Sequence, residues 1–238
     1  RVYIVAEQGT TNRLSDGGSF ASSTEDQKGT LFSEGQLLFS GKGKLTVQAK
    51  AKAGIASDDY ILIRPNTNIA VTATTGNGIK SNDGIDIRGG VVNVKVSGAA
   101  AKALSTDGHY TQSGGRVTAV TTGAAVYDQD EKDVSGAAGV KADSTITIKG
   151  GQLLVKSTGA GGKGISGDQA IIIDDGVVKA VTTGKTYTYS SSLDSKPKGI
   201  KADGNLQVNG GIIMVKATGG EGAEGMEAKG TMTIAGGS

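Results

Sequence analysis

Short runs of alternating apolar and polar residues recur along almost the whole chain. Ile85-Asp86-Ile87-Arg88 leads into Gly89-Gly90 and then Val91-Val92-Asn93-Val94. The phrase returns as Ile146-Thr147-Ile148-Lys149, Gly150-Gly151 and Leu153-Leu154-Val155, and again as Leu206-Gln207-Val208-Asn209, Gly210-Gly211 and Ile212-Ile213-Met214-Val215. A period of two marks strands with one buried face, and the Gly-Gly pairs mark turns between them. A third phrase completes the unit: a small residue, one apolar anchor and, three places on, usually an acid. Gly139-Val140-Lys141-Ala142-Asp143 and Gly199-Ile200-Lys201-Ala202-Asp203 show it well. The anchors are Leu31, Ile55, Ile79, Leu104, Val140, Ile165, Ile200 and Met226, in steps of 24, 24, 25, 36, 25, 35 and 26 residues. Three short strands per step predict an all-β, single-stranded parallel β-helix of about 25 residues per coil and at least eight coils. The expected hand is right, as for parallel crossovers generally.

A longer period overlies the first. Ile79 to Val140, Leu104 to Ile165, Val140 to Ile200 and Ile165 to Met226 are 61, 61, 60 and 61 residues. Coils therefore come in pairs, one plain and one carrying an inserted loop. The loops run over 124–138, after Val120-Thr121-Thr122-Gly123, and 185–198, after Val181-Thr182-Thr183-Gly184. Two coils rise about 10 Å, so both loops should meet on one flank. Ser15 to Lys28 reads as a further loop, and 1–238 as one β-helix domain. Arg1-Val2-Tyr3-Ile4-Val5 already reads as a strand, and the chain stops just after Gly236-Gly237. An uncapped end is an open sheet edge, so further coils or domains of the same polypeptide are expected at both ends.

Composition narrows the class. Glycine is abundant, at 40 residues, but it does not recur at every third position and there are only two prolines, which rules out collagen. The absence of cysteine excludes a disulfide framework and is compatible with a bacterial exported protein. A net charge of +2, with no basic stripe interleaved with aromatics, gives no case for nucleic acid. No run approaches 18 apolar residues, so no membrane span is expected.

Three sets of residues are candidates for chemistry. Asp58, Asp107, Asp143, Asp168 and Asp203 share one repeat position, with Glu34 and Asn82 at two others. Carboxylates stacked about 5 Å apart repel, and a hard cation with six to eight oxygen ligands relieves this. Asp58, Asp59, Asn82, Asp83 and Asp107 form the densest cluster and the candidate calcium site. The same acids could instead serve as turn residues that accept from nearby backbone N–H groups.

Lys80, Lys141 and Lys201 follow their anchors on alternate coils. They either recognise carboxylates spaced along an acidic ligand or form an interleaved ladder that keeps the sheet soluble. Lys95, Lys156, Lys179 and Lys216, in the last strand of their coils, read as a solvated face. Tyr127 lies in the first loop and Tyr187 and Tyr189 in the second, while Tyr110 precedes a turn. A tyrosine ring suits the C–H face of a sugar, although such loops could also fold down over the side of the helix.

Catalysis has thin support, and no catalytic residue is assigned. His109 is the single histidine, set at a corner, and there is neither a cysteine nor a Gly-x-Ser-x-Gly elbow. A glycosidase needs a carboxylate pair at a defined separation, and the ladder singles out none. Lys80 beside Asp59, Asp83 and Asp107 is the one arrangement that resembles the calcium-plus-base requirement of a lyase.

The anchor phrase Gly-Ile-Lys-Ala-Asp, the Gly-Gly turn, and Thr30-Leu31-Phe32-Ser33 through Gly41-Lys42-Gly43-Lys44-Leu45-Thr46-Val47 resemble a family of bacterial carbohydrate-binding β-helix domains related by fold to pectate lyases. Arg64-Pro65-Asn66-Thr67 in place of Gly-Gly, and Glu227 and Lys229 in the last anchor phrase, depart from the pattern. The resemblance implies an exported or surface-attached bacterial protein. It also implies calcium-assisted, non-catalytic binding of an acidic polysaccharide such as polygalacturonate, and of cellulose. A structural or adhesive stalk without a glycan ligand is the alternative reading, and a pectate-lyase-like enzyme the third.

Overall fold

The computed structural model describes residues Arg1–Ser238 and contains strands and turns but no helix. Three parallel sheets run its length. The first has nine strands, from Val2–Ala6 to Met232–Ile234; the second has eight, from Thr11–Ser15 to Ile212–Ala217; the third has eight, from Gly29–Ser33 to Glu224–Ala228. The chain visits first, second and third sheets in turn, eight times, and then adds the ninth strand to the first sheet. This is the expected parallel β-helix. No helix is long and apolar enough to cross a membrane.

Successive coils stack in register, so each inward side chain meets its equivalents above and below. On the third sheet Leu31, Ile55, Ile79, Leu104, Val140, Ile165, Ile200 and Met226 pair in one unbroken row. Ile55 to Ile200 in that row are wholly buried, each contributing about 1.5–3 kcal/mol of burial. Tyr110 belongs to this interior, not with the loop tyrosines. It continues the inward row of the first sheet, between Ile85 and Ile146. Its hydroxyl donates to Gln112 Oε1 at 2.9 Å, and Gln112 Nε2 donates to the Gln152 carbonyl at 3.1 Å. A buried hydroxyl needs such a partner.

The small residue before each anchor has a packing cause. It also points inward, so two consecutive residues face the core. A Cβ added to Gly78, Gly139 or Gly199 would lie 2.2, 2.0 or 2.2 Å from a Cγ1 of Val94, Val155 or Val215 on the second sheet. Ala103 stands where these coils have glycine, and it has its compensation. Counted along the chain as from Gly78 to Val94, its opposite number is Ala119, and both alanines are wholly buried.

The corner between first and second sheets has a different requirement. Gly90, Gly115, Gly151, Gly176, Gly211 and Gly237 all take positive φ there, between 73° and 99°. In the coil that departs from Gly-Gly, Asn66 turns the corner at φ 68°, a region asparagine tolerates better than most residues. Thr67 Oγ1 closes that turn by donating to the Arg64 carbonyl at 2.7 Å.

Gly139→Ala alone is expected to destabilise the fold by about 1–3 kcal/mol through overpacking. Adding Val155→Ala should recover the part of that loss due to the Val155 side chain and leave the closer approach to the Gly164 carbonyl, as measured by denaturant unfolding.

Candidate functional site

The long loops all leave the corner between the second and third sheets. Two of them form antiparallel hairpins: Val126–Asp128 with Asp133–Ser135, and Tyr187–Thr188 with Asp194–Ser195. They meet as expected. The rings of Tyr127 and Tyr189 stack with centroids 4.0 Å apart and planes 5° from parallel. Tyr189 is 51% exposed and Tyr127 half-buried. The pair thus offers sugar one outward aromatic plane. Tyr187 stands outside the stack; its backbone pairs with Ser195.

Beneath the hairpins lies the outer face of the third sheet. Because two residues in succession face the core before each anchor, the alternation slips by one. The residue two places before the anchor, which strict alternation would bury, faces out. That row contains Lys102, Ala138, Lys163, Lys198 and Glu224 in register. One place after the anchor runs the predicted row of Lys80, Ser105, Lys141, Ser166, Lys201 and Glu227.

The two rows have different partners. Lys141 Nζ lies 2.6 Å from both Asp143 Oδ1 and Asp168 Oδ2. Lys201 Nζ is 2.7 Å from Asp203 Oδ1, which Lys229 also reaches at 2.8 Å, and Lys80 is 3.8 Å from Asp107 Oδ2. Burial pushes the Asp203 carboxyl up, but these two ammoniums outweigh it and hold it below its usual range. Lys198 sits between Glu224 at 2.8 Å and Glu227 at 2.7 Å.

Lys102 and Lys163 have no carboxylate within ion-pair distance. Each donates instead to a hairpin serine, Lys102 to Ser135 Oγ at 3.0 Å and Lys163 to Ser195 Oγ at 2.7 Å. Ser195 Oγ in turn donates to the Gly161 carbonyl at 2.8 Å. Burial lowers both ammonium pKa values, helped for Lys102 by Lys141 and for Lys163 by Lys201 and Lys102; Lys163 falls to about 8. Both lysines line a polar groove of about 320 Å³ with Lys141, Lys201 and Asp133. An adjoining groove of about 510 Å³ shares Lys163, Lys201 and Asp133 and extends past Asp194 to Lys198.

The residues proposed to hold calcium do not fit it. Lys28 occupies Asp58 Oδ1 at 2.7 Å, Asp59 Oδ1 accepts from the Tyr60 N–H at 2.8 Å, and Asp107 faces Lys80. Asn82 is half-buried and Asp83 exposed, and nowhere do three or more acidic or histidine side chains converge as a metal site. The corner acids meet lysines rather than one another.

Comparison with known families bears on what this surface does. Residues 1–109 match the family of carbohydrate-binding domain-containing proteins. The matched segment comprises the first four coils and ends at the corner after Asp107, short of both hairpins. No match was found among curated proteins or among solved structures. The family's description points to sugar binding.

Lys163 also carries a stability signature. Its folded pKa, about 8, lies below its usual 10.5, so the folded state binds fewer protons than the unfolded chain between those values. The cost of the buried charge is fully present below pH 8 and is relieved as pH rises through that window. Lys163→Met should therefore be more stable than wild type at pH 7, by about 1–3 kcal/mol. The two unfolding free energies should converge towards pH 10, as measured by urea titration.

Proposed function

We propose that this chain binds an acidic polysaccharide without cleaving it, in the groove between the two hairpins and the third sheet. The observation that carries the reading is the pair of half-buried ammoniums, Lys102 and Lys163, that donate to hairpin serines and have no carboxylate within ion-pair distance. A buried charge lacking its counter-charge costs stability, and the carboxylate of a uronic acid would supply what is missing. The Tyr189 plane at the rim suits the C–H face of a neighbouring sugar. In this arrangement lysines neutralise the glycan directly, and no calcium bridge is invoked. A linear polyuronate such as polygalacturonate fits the open groove, and a bacterial cell surface is where a protein with this task would meet it.

Calorimetric titration of polygalacturonate tests the proposal. Heat is expected at pH 7 in the presence of chelator. Affinity should fall about tenfold by pH 9 as Lys163 loses its proton. Lys163→Met should weaken binding at pH 7 by about tenfold or more despite its greater stability, and Tyr189→Ala by less. Absence of heat in every condition would leave the stalk reading standing. Release of unsaturated uronide, read by its absorbance, would instead make the protein a lyase.

A further inference from the structure

The outer face of the second sheet is the most one-sided surface of the molecule. Along its strands the burial pattern alternates strictly, so the outward positions are unambiguous. Seven of them are basic: Arg13, Lys44, Lys95, Arg116, Lys156, Lys179 and Lys216. None is acidic. With 25 basic and 23 acidic residues in the chain, the rest of the molecule carries 18 bases against 23 acids. None of the seven has a carboxylate within 4.0 Å, whereas Lys80, Lys141, Lys198 and Lys201 on the third sheet all do. Eight strands of five or six residues make this face about 34 Å long and 20 Å wide.

Its cations are also ordered. In the last five strands the fifth position forms a row in register, Lys95, Val120, Lys156, Val181 and Lys216, which follows Ser15, Gln48 and Thr72 in the first three. Lysine and valine alternate, so the ammoniums recur every second coil, about 10 Å apart. Between them lie shallow apolar steps, continued by Leu154 and Met214 on the neighbouring row. A solvated face kept only for solubility would gain from interspersed charges of both signs. A second copy of the chain is a poor occupant, because two such faces repel.

We propose that this face binds a linear anionic polysaccharide that carries its negative group on every second sugar. The polymer lies along the stacking axis over the Lys95–Lys156–Lys216 row. An extended pyranose residue spans about the rise of one coil. Charged sugars then fall on lysines and uncharged sugars on the intervening valines. Steering by seven uncompensated cations makes this contact long-ranged and sensitive to salt. The site is separate from the hairpin groove and needs none of its residues.

The test uses the whole chain carrying Lys102→Met and Lys163→Met, which remove both ammoniums that the groove reading rests on, so that the two readings fail separately. Four probes are titrated: hyaluronan, with a carboxylate on alternate sugars; polygalacturonate, with one on each; dextran, which is neutral; and vesicles of phosphatidylglycerol. Hyaluronan should bind most tightly, and its Kd should rise at least about tenfold between about 50 and 300 mM NaCl. Adding K95Q, K156Q and K216Q together should weaken hyaluronan about tenfold or more, while Tyr127→Ala and Tyr189→Ala leave it unchanged. Conversely, V120K with V181K, which puts a cation on every coil, should shift preference to polygalacturonate. All five sites are outward-facing strand positions; because V120K with V181K sets like charges about 5 Å apart, its unfolding midpoint is measured alongside, so that loss of fold is told apart from loss of binding. Binding that is indifferent to the triple substitution, polygalacturonate preferred before V120K and V181K are introduced, or binding to vesicles alone would each overturn the proposal.

Discussion

The governing constraint is the rise of one coil. Parallel strands in register stand about 4.7–4.9 Å apart, so every side chain is forced against its own repeat. Inside, this favours unbroken rows of isoleucine, leucine and valine, and it lets a change in one residue be answered by another, as Ala103 answers Ala119. Outside, it forbids stacking one charge sign in consecutive coils at little cost. The two-coil rhythm is the solution: Lys80, Lys141 and Lys201 alternate with serines, and Lys95, Lys156 and Lys216 with valines. Placing the hairpins two coils apart follows the same count, and the count brings Tyr127 against Tyr189.

Most of the fold was legible because the repeat states it many times. Eight anchors, the Gly-Gly corners and the two lengthened steps define coils, turns and loops without knowledge of any contact. The site was less legible, for a specific reason. The residue before each anchor is a second inward residue, so reading by strict alternation assigns the wrong face to whatever precedes it. Lys102, Lys163 and Lys198 each lie two places before an anchor, at Leu104, Ile165 and Ile200. That spacing was present in the sequence, but its meaning depended on the slip in phase. Tyr110 was misplaced for a related reason: its row on the first sheet holds isoleucines, and only the register shows that a tyrosine completes it.

The corner acids show the opposite case. Their stacking gave a sound electrostatic argument for a shared cation, since a column of carboxylates must be neutralised. The sequence also contained the other answer. Lys141 and Asp143, like Lys201 and Asp203, are two apart, the lysine near the strand's end and the acid at the first turn residue after it, where an ion pair forms within a single coil. Lys141 then spans to Asp168 in the next coil and neutralises the column from outside. Lysines in the +1 row therefore meet Asp107, Asp143, Asp168 and Asp203, while Lys28 meets Asp58.

That division separates the lysines by task. A lysine between two acids is satisfied and stabilising within the limits of surface ion pairs. A lysine under a hairpin with no carboxylate to accept from it is neither, and the fold retains two of them, two coils apart in one row. The cost is local and the remedy simple, since an apolar residue of similar length would fill either position. Retention of a charge where packing would prefer none is the pattern expected of a surface shaped for a partner. On the proposed reading the hairpins then have a second role: they partly cover the two ammoniums, so that a carboxylate would meet them in a less watery setting than on the open lysines of the second sheet.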